Sequence, residues 1–289
     1  MIHVDVLWTA REAEQHPFRP GEAAAVFDVL RATTTMAAAL AAGAPGVVAV
    51  ADPQRALSLR STLHPAPLLG GEERMIRLPG FDLGNSPLEY TPERVRDRTV
   101  VLCTTNGTRA VAAALRRGCR QLFAGSLVNR TATARGLLRC LQPDPARHPR
   151  QPAANRQGTP ASQQADGGPA ITLICAGTHG RFSLDDVIGA GSVVEALQAL
   201  VQEEEPEPQD TLQLSDAARA ALQLWQQARH ELADVLVGTH HGRLLVETGF
   251  AEDIEFACRV DAFDFAVQWQ PHALALDTGA FVATHFPGN

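Results

Sequence analysis

Three stretches of the chain share one design, an apolar run that leads into small polar residues and then into a helical pattern. They are Phe27-Asp28-Val29-Leu30-Arg31-Ala32-Thr33-Thr34-Thr35, Cys103-Thr104-Thr105-Asn106-Gly107-Thr108-Arg109 and Cys175-Ala176-Gly177-Thr178-His179-Gly180-Arg181. A strand that ends in such a loop presents the N–H groups and positive dipole of the following helix to an anion. Threonine hydroxyls and arginine forks add further donors suited to phosphate. Any one of these loops is also explained by helix capping and tight turns. Three together, two of them ending in arginine, favour an anion site. None has the glycine–lysine pattern of the nucleotide phosphate loop, which argues against ATP or GTP.

A fourth stretch, Gly70-Gly71-Glu72-Glu73-Arg74 followed by Pro79-Gly80-Phe81-Asp82-Leu83-Gly84-Asn85-Ser86-Pro87, places carboxylates on a loop. Magnesium takes one or two carboxylates and fills its other positions with water and substrate phosphate. Asp28, Glu72, Asp82, Asp185 and Asp186 are the candidate ligands. Against this, Asp82 and Asn85 also suit Asx turns, and Asp185 and Asp186 suit the start of a helix.

The strings DVLRATTT, PGFDLGNSPLEYTPE, TTNGTRA, Gly125-Ser126 with Asn129 three residues later, and CAGTHGRFSLDDVIGAG resemble the motifs of the 2-phosphosulfolactate phosphatase family. The similarity runs in order over most of Ala24 to Leu200 and continues weakly toward Cys258 and Asp261. It implies a magnesium-dependent phosphatase that frees 2-hydroxy acids such as sulfolactate from their phosphates, a step toward coenzyme M. Such a substrate carries phosphate, sulfonate and carboxylate, which would account for several anion loops. The motif positions carried onto this chain are Asp28, Arg31, Thr33, Thr34, Glu72, Asp82, Asn85, Ser86, Thr105, Asn106, Gly107, Thr108, Asn129, Gly177, Gly180, Arg181, Asp185 and Asp186.

The expected mechanism has Mg²⁺, held by Asp82 with Asp28 or Glu72, bridging phosphate oxygens and orienting a water. Loop amides and Arg181 would stabilise the equatorial oxygens, while Asp185 or Asp186 would protonate the leaving alkoxide. Two rivals stay open. Cys103 to Arg109 and Cys175 to Arg181 both fit the spacing of thiol phosphatases, in which arginine and loop amides cradle phosphate and activate a cysteine. A module that binds a phosphorylated metabolite without turnover is the other, although extra carboxylates would not help a pure binder of polyanions. His179, inside a loop, is the histidine to watch. His240 and His241, adjacent on a helix, point about 100 degrees apart and make a poor metal pair.

The elements that must position these residues are legible as short apolar runs. Ala23 to Phe27, Val47 to Ala51, Val100 to Cys103, Leu122 to Ala124 and Ile171 to Cys175 read as buried strands, and Met1 to Leu7 as a first one. Alanine- and leucine-rich helical stretches alternate with them, which predicts a three-layer α/β/α domain over 1–289 with a largely parallel or mixed central sheet. A helix begins near Asp185, and another spans Ser215 to Val237 with Ser215 as its N-cap. Pro143 to Pro169, crowded with proline, glycine and glutamine, reads as a mobile surface insertion. The acidic run Glu203 to Asp210 ends a helix with its two prolines. After Gly249 the pattern is mixed.

Composition narrows the class. The 289 residues are 45% hydrophobic and 20% charged, with no apolar run of membrane-spanning length. A formal net charge of -7 argues against a nucleic-acid partner and leaves a small polyanion bound by local arginines. Five scattered cysteines suit reduced thiols in a cytoplasmic protein. The large apolar fraction permits a homodimer.

Overall fold

The computed structural model describes residues 1–142, 168–204, 212–271 and 279–286. In chain order, the elements up to the middle of the chain are β1 (Ile2–Leu7), α1 (Ala10–Ala13), β2 (Ala23–Phe27), α2 (Ala32–Ala41), β3 (Val47–Val50), α3 (Pro53–Thr62), β4 (Leu68–Glu73), β5 (Ile76–Arg77), α4 (Pro92–Val95), β6 (Val100–Cys103), α5 (Gly107–Arg116), β7 (Gln121–Gly125) and α6 (Arg130–Leu141). There follow β8 (Ala170–Cys175), α7 (Leu184–Glu204), β9 (Leu212–Leu214), α8 (Asp216–Ala228), α9 (Leu232–Gly238), α10 (His240–Glu247), α11 (Ala251–Ala257), β10 (Ala266–Gln270) and β11 (Ala280–Thr284). The five apolar runs and the first strand are all strands, within a residue at either end.

Among the described residues the strands form one sheet in the order β5-β4-β6-β3-β11-β10-β7-β2-β8-β1-β9. It is mixed and mostly parallel. One parallel set joins β7, β2, β8, β1 and β9, the other joins β4, β6 and β3. The antiparallel pair β10 and β11 sits between them, antiparallel to β7 on one side and to β3 on the other. Direction therefore alternates at each step from β3 to β7, and the two parallel sets run in opposite senses. The mixed pattern after Gly249 conceals this central pair.

Alternation along each strand sends side chains to two cores. Ala23, Ala25 and Phe27 of β2 pack with residues of α6, α7 and α8, whereas Ala24 and Val26 pack with residues of α2 and α5. Helices thus cover both faces, giving the three layers expected. Small residues bring layers close: a Cβ on Gly189 of α7 would lie 2.5 Å from a Val29 methyl, so only glycine admits α7 so near the end of β2.

Ser215 caps its helix by accepting the Ala218 amide, as expected. The helical stretch to Val237 is broken, however, at residues 229–231, where Glu231 departs from helical backbone geometry. The expected insertion lies outside the described residues except for Gly168 and Pro169, whose carbonyl accepts the His3 amide. The acidic run is described only at its start, at the end of α7.

Candidate active site

The three loops meet, and buried carboxylates tie them together. Asp28, at the end of β2, accepts the Gly107 amide through Oδ2 at 2.7 Å and the Ala32 amide through Oδ1 at 3.3 Å. Gly107 opens α5, so this bond joins loops of the two opposed parallel sets. Asp186 in the first turn of α7 accepts the Val29 amide at 2.9 Å and the Gly177 amide at 2.9 Å, one on each oxygen. Asn106 completes the ring by accepting the His179 amide at 3.1 Å. His179, Gly177 and Gly180 all have positive φ, which bends the third loop back on itself. A side chain at position 177 would collide with the Arg181 carbonyl, so glycine is required there.

Asp28, Asp185 and Asp186 are buried together, with 7%, 1% and 2% of their surface exposed. Burial pushes the Asp28 carboxyl up, and the neighbouring Asp185 adds to this against the lowering effects of His241 and the loop amides. Asp186 is pushed well up by burial, then by Asp185 and Asp28. Asp185 is raised by burial despite the Ser183 hydroxyl bond at 2.7 Å. Like charges sharing a low-dielectric site cannot all ionise without cost. Arg31, from the same β2 loop, donates instead to Asp253 at 2.8 Å, both side chains being 2% exposed.

His241, near the start of α10, is half-buried and faces Asp28 and Glu72 electrostatically. Burial lowers its pKa, favouring neutral imidazole, while Asp28 opposes the shift. His240, its exposed neighbour, is felt by Asp185. Viewing the two histidines only as a pair hides this role. The sequence signal was available, because His241 precedes the buried Leu245 by four residues and so shares the inward face of the helix. Asp253 is the second residue missed, and its signal is similar: an acid four residues before buried Ala257 and adjacent to buried Ile254.

The remaining positions divide by what their polar atoms already do. Thr33 Oγ1 donates to the Asp28 carbonyl and accepts the Asp28 amide, Thr34 bonds the Val29 carbonyl and Ser126, and Thr108 bonds the Thr104 carbonyl. All three are fully buried, so these hydroxyls shape the loops. Asn129 closes a capping box with Ser126 and donates to the Ala124 carbonyl. Asp82 accepts the Leu69 amide at 2.8 Å and pairs with Arg60, both through Oδ2. Glu72 accepts the Met75 amide at 2.7 Å within the β4–β5 hairpin. Ser86 donates to Asp253 at 2.5 Å, and the Asn85 carbonyl accepts from Thr35. Thr105 and Asn106 are partly exposed, and Arg181 is exposed.

The cysteine alternative meets unfavourable surroundings. Burial pushes the Cys103 thiol up to about 11, with Asp52 and Glu72 adding to it. Cys175, fully buried, is raised well above the usual thiol range by burial and then by Asp186 and Asp185. A nucleophilic cysteine needs an electropositive setting that lowers its pKa.

A family model described as 2-phosphosulpholactate phosphatase matches residues 8–144 and 153–271. The chain is 35% identical over 241 residues to a protein of Symbiobacterium thermophilum, covering 83% of this chain and 88% of that one. It is 36% identical over 243 residues to one of Carboxydothermus hydrogenoformans, covering 84% of each, and 33% identical over 264 residues to one of Thermotoga petrophila, covering 91% and 93%. All three carry the name probable 2-phosphosulfolactate phosphatase. The matched residues include every loop and carboxylate described above, and this chain belongs to the 2-phosphosulpholactate phosphatase family.

Proposed function

We propose that the protein hydrolyses 2-phosphosulfolactate, and related phosphates of 2-hydroxy acids, to the free hydroxy acid and phosphate with Mg²⁺ as cofactor, a coenzyme M biosynthesis-type step in the cytoplasm. The observation that carries this reading is the buried trio Asp28, Asp185 and Asp186, linked to the amides of three strand-end loops in a member of this family. Loops rich in N–H donors suit an anion, and uncompensated buried carboxylates suit a cation. A metal-bound phosphate supplies both.

The donor set fits magnesium. Among the described residues no three His, Cys, Asp or Glu side chains converge as a complete metal cage. Magnesium does not need one, since it keeps waters and phosphate oxygens beside one or two carboxylates. Asp28 and Glu72, which both face His241, are the residues that would hold it. When bound it would supply Lewis-acid polarisation of the phosphate oxygens. Asp82 takes Arg60 and the Leu69 amide on Oδ2, so Oδ1 is the oxygen it would offer.

The chain's own contribution is position and charge. The N-terminus of α5, a ten-residue helix, directs its dipole at the site from Gly107. Asp186 fixes the spacing of the β2 and β8 loops. Asp185 or Asp186, both raised by burial, would give a proton to the leaving alkoxide oxygen. No helix among the described residues is long and apolar enough to cross a membrane. Phosphate release from 2-phosphosulfolactate with magnesium, with EDTA and after thiol alkylation tests the reading; turnover that resists EDTA and is lost on alkylation would replace it with a cysteine mechanism.

A further inference from the structure

Arg31 is the one arginine of the loops that is fully enclosed, and its surroundings come from distant parts of the chain. Nη1 donates to Asp253 Oδ2 at 2.8 Å, Nη2 lies 3.6 Å from the Met75 sulfur, and the guanidinium carbon stands 4.5 Å from the centre of the Phe250 ring. The other oxygen of Asp253 accepts the Ser86 hydroxyl. Asp253 on α11 therefore joins the β2 loop to the segment that follows β5. Beside this junction, Arg31 Nε and Asn85 Oδ1 are buried with no hydrogen-bond partner among the described residues.

A buried N–H without an acceptor costs free energy, and Arg31 Nε–H beside this ion pair calls for one that a ligand could supply. The contacts on Nη1, on Nη2 and on the ring face fix the plane of the guanidinium, and Nε is its one nitrogen with no partner among the described residues. We infer that Asp253 is a positioning residue that, with Ser86, locks Arg31 so that its Nε–H donates to an anionic oxygen of the substrate. The inference rests on the phosphate-ester reading of the site. Asp253 itself touches no substrate, and it acts through Arg31.

The test is a double-mutant cycle of Asp253→Asn and Arg31→Gln, read as kcat/KM for 2-phosphosulfolactate and as calorimetric Kd for the same compound, with magnesium and with EDTA. Asp253→Asn is expected to lose about 30-fold in kcat/KM, the worth of a misdirected charge-assisted hydrogen bond, and to weaken binding in parallel. In the Arg31→Gln background the same substitution is expected to change either quantity by less than about threefold, because sites that act as a unit are non-additive. Fully additive losses, or an Asp253→Asn protein as active as wild type, would overturn the inference. Should Asp253→Asn alone fail to fold, Ser86→Ala in both backgrounds carries the same comparison, with a smaller loss that must also vanish without Arg31. Wild-type protein that binds the ester without hydrolysing it, with the non-additive pattern present in Kd, would sink the phosphatase reading and leave the positioning role standing. Wild-type protein that neither binds nor hydrolyses it would remove both.

Discussion

The Asp28 carboxylate accepts the Gly107 amide at 2.7 Å across 79 positions of sequence, and this bond couples the two opposed parallel halves of the sheet at the candidate active site. A Cβ at position 107 would lie 2.7 Å from Asp28 Oδ2 and 2.9 Å from the Ala32 Cβ. Gly107→Ala must therefore push the loops apart. Overpacking of this kind costs about 1–3 kcal/mol. Denaturant unfolding is expected to show that loss, and turnover to fall further than stability does, since Asp28 moves with the clash.

Asp185 adds to the burial that pushes the carboxyls of Asp186 and Asp28 up. Asp185→Asn removes a buried ionisable carboxyl while keeping an oxygen for the Ser183 hydroxyl bond. The variant is expected to melt at or above the wild-type temperature without metal and to lose most of its activity, the usual trade between a strained site and stability. A variant that melts lower in EDTA and retains turnover would count against the charge cluster as the seat of function.

Much of this was legible from sequence, and the limits have physical causes. The parallel strands are buried on both faces, so they read as continuous apolar runs, and the loop residues between them fall where strand meets helix. Asp186 was legible as an acid at a helix start, but its double acceptance of Val29 and Gly177 is a tertiary fact. In sequence, loop threonines read as phosphate donors, whereas Thr33, Thr34 and Thr108 bond backbone carbonyls of their own loops. Asp253 lies 222 positions from Arg31, and nothing in local spacing announces that pairing. β10 and β11 escaped notice because their half-exposed positions break the apolar run that marks the other central strands.

Glu22 gives a pH prediction away from the site. Burial alone would push its carboxyl up, but the bonds from His16, the Arg19 amide and Thr172 more than offset this and hold it below the usual range. A depressed carboxylate contributes stability above its unfolded pKa, about 4.3 for glutamate, and that contribution fades as the pH falls through the folded value. Glu22→Gln should therefore be less stable than wild type at pH 7, with the gap closing below about pH 4.3. Parallel stability curves for the two proteins across that window would show that the network contributes no charge-dependent stability.

Cys103 and Cys175 are expected to be dispensable for chemistry. Cys103→Ala and Cys175→Ala should each keep turnover near the wild-type level, with Cys175→Ala giving up about 1 kcal/mol of stability for a fully buried sulfur. Loss of activity in one variant with its fold intact would restore the nucleophilic cysteine.

The most direct test of the account is phosphate release from 2-phosphosulfolactate by the purified protein, first stripped with EDTA and then titrated with Mg²⁺, in wild type and in Asp28→Asn. The account predicts turnover that requires magnesium in the wild type and is lost in Asp28→Asn at every magnesium concentration. Equal turnover with and without the metal, or an Asp28→Asn protein that hydrolyses the ester as well as wild type, would contradict it.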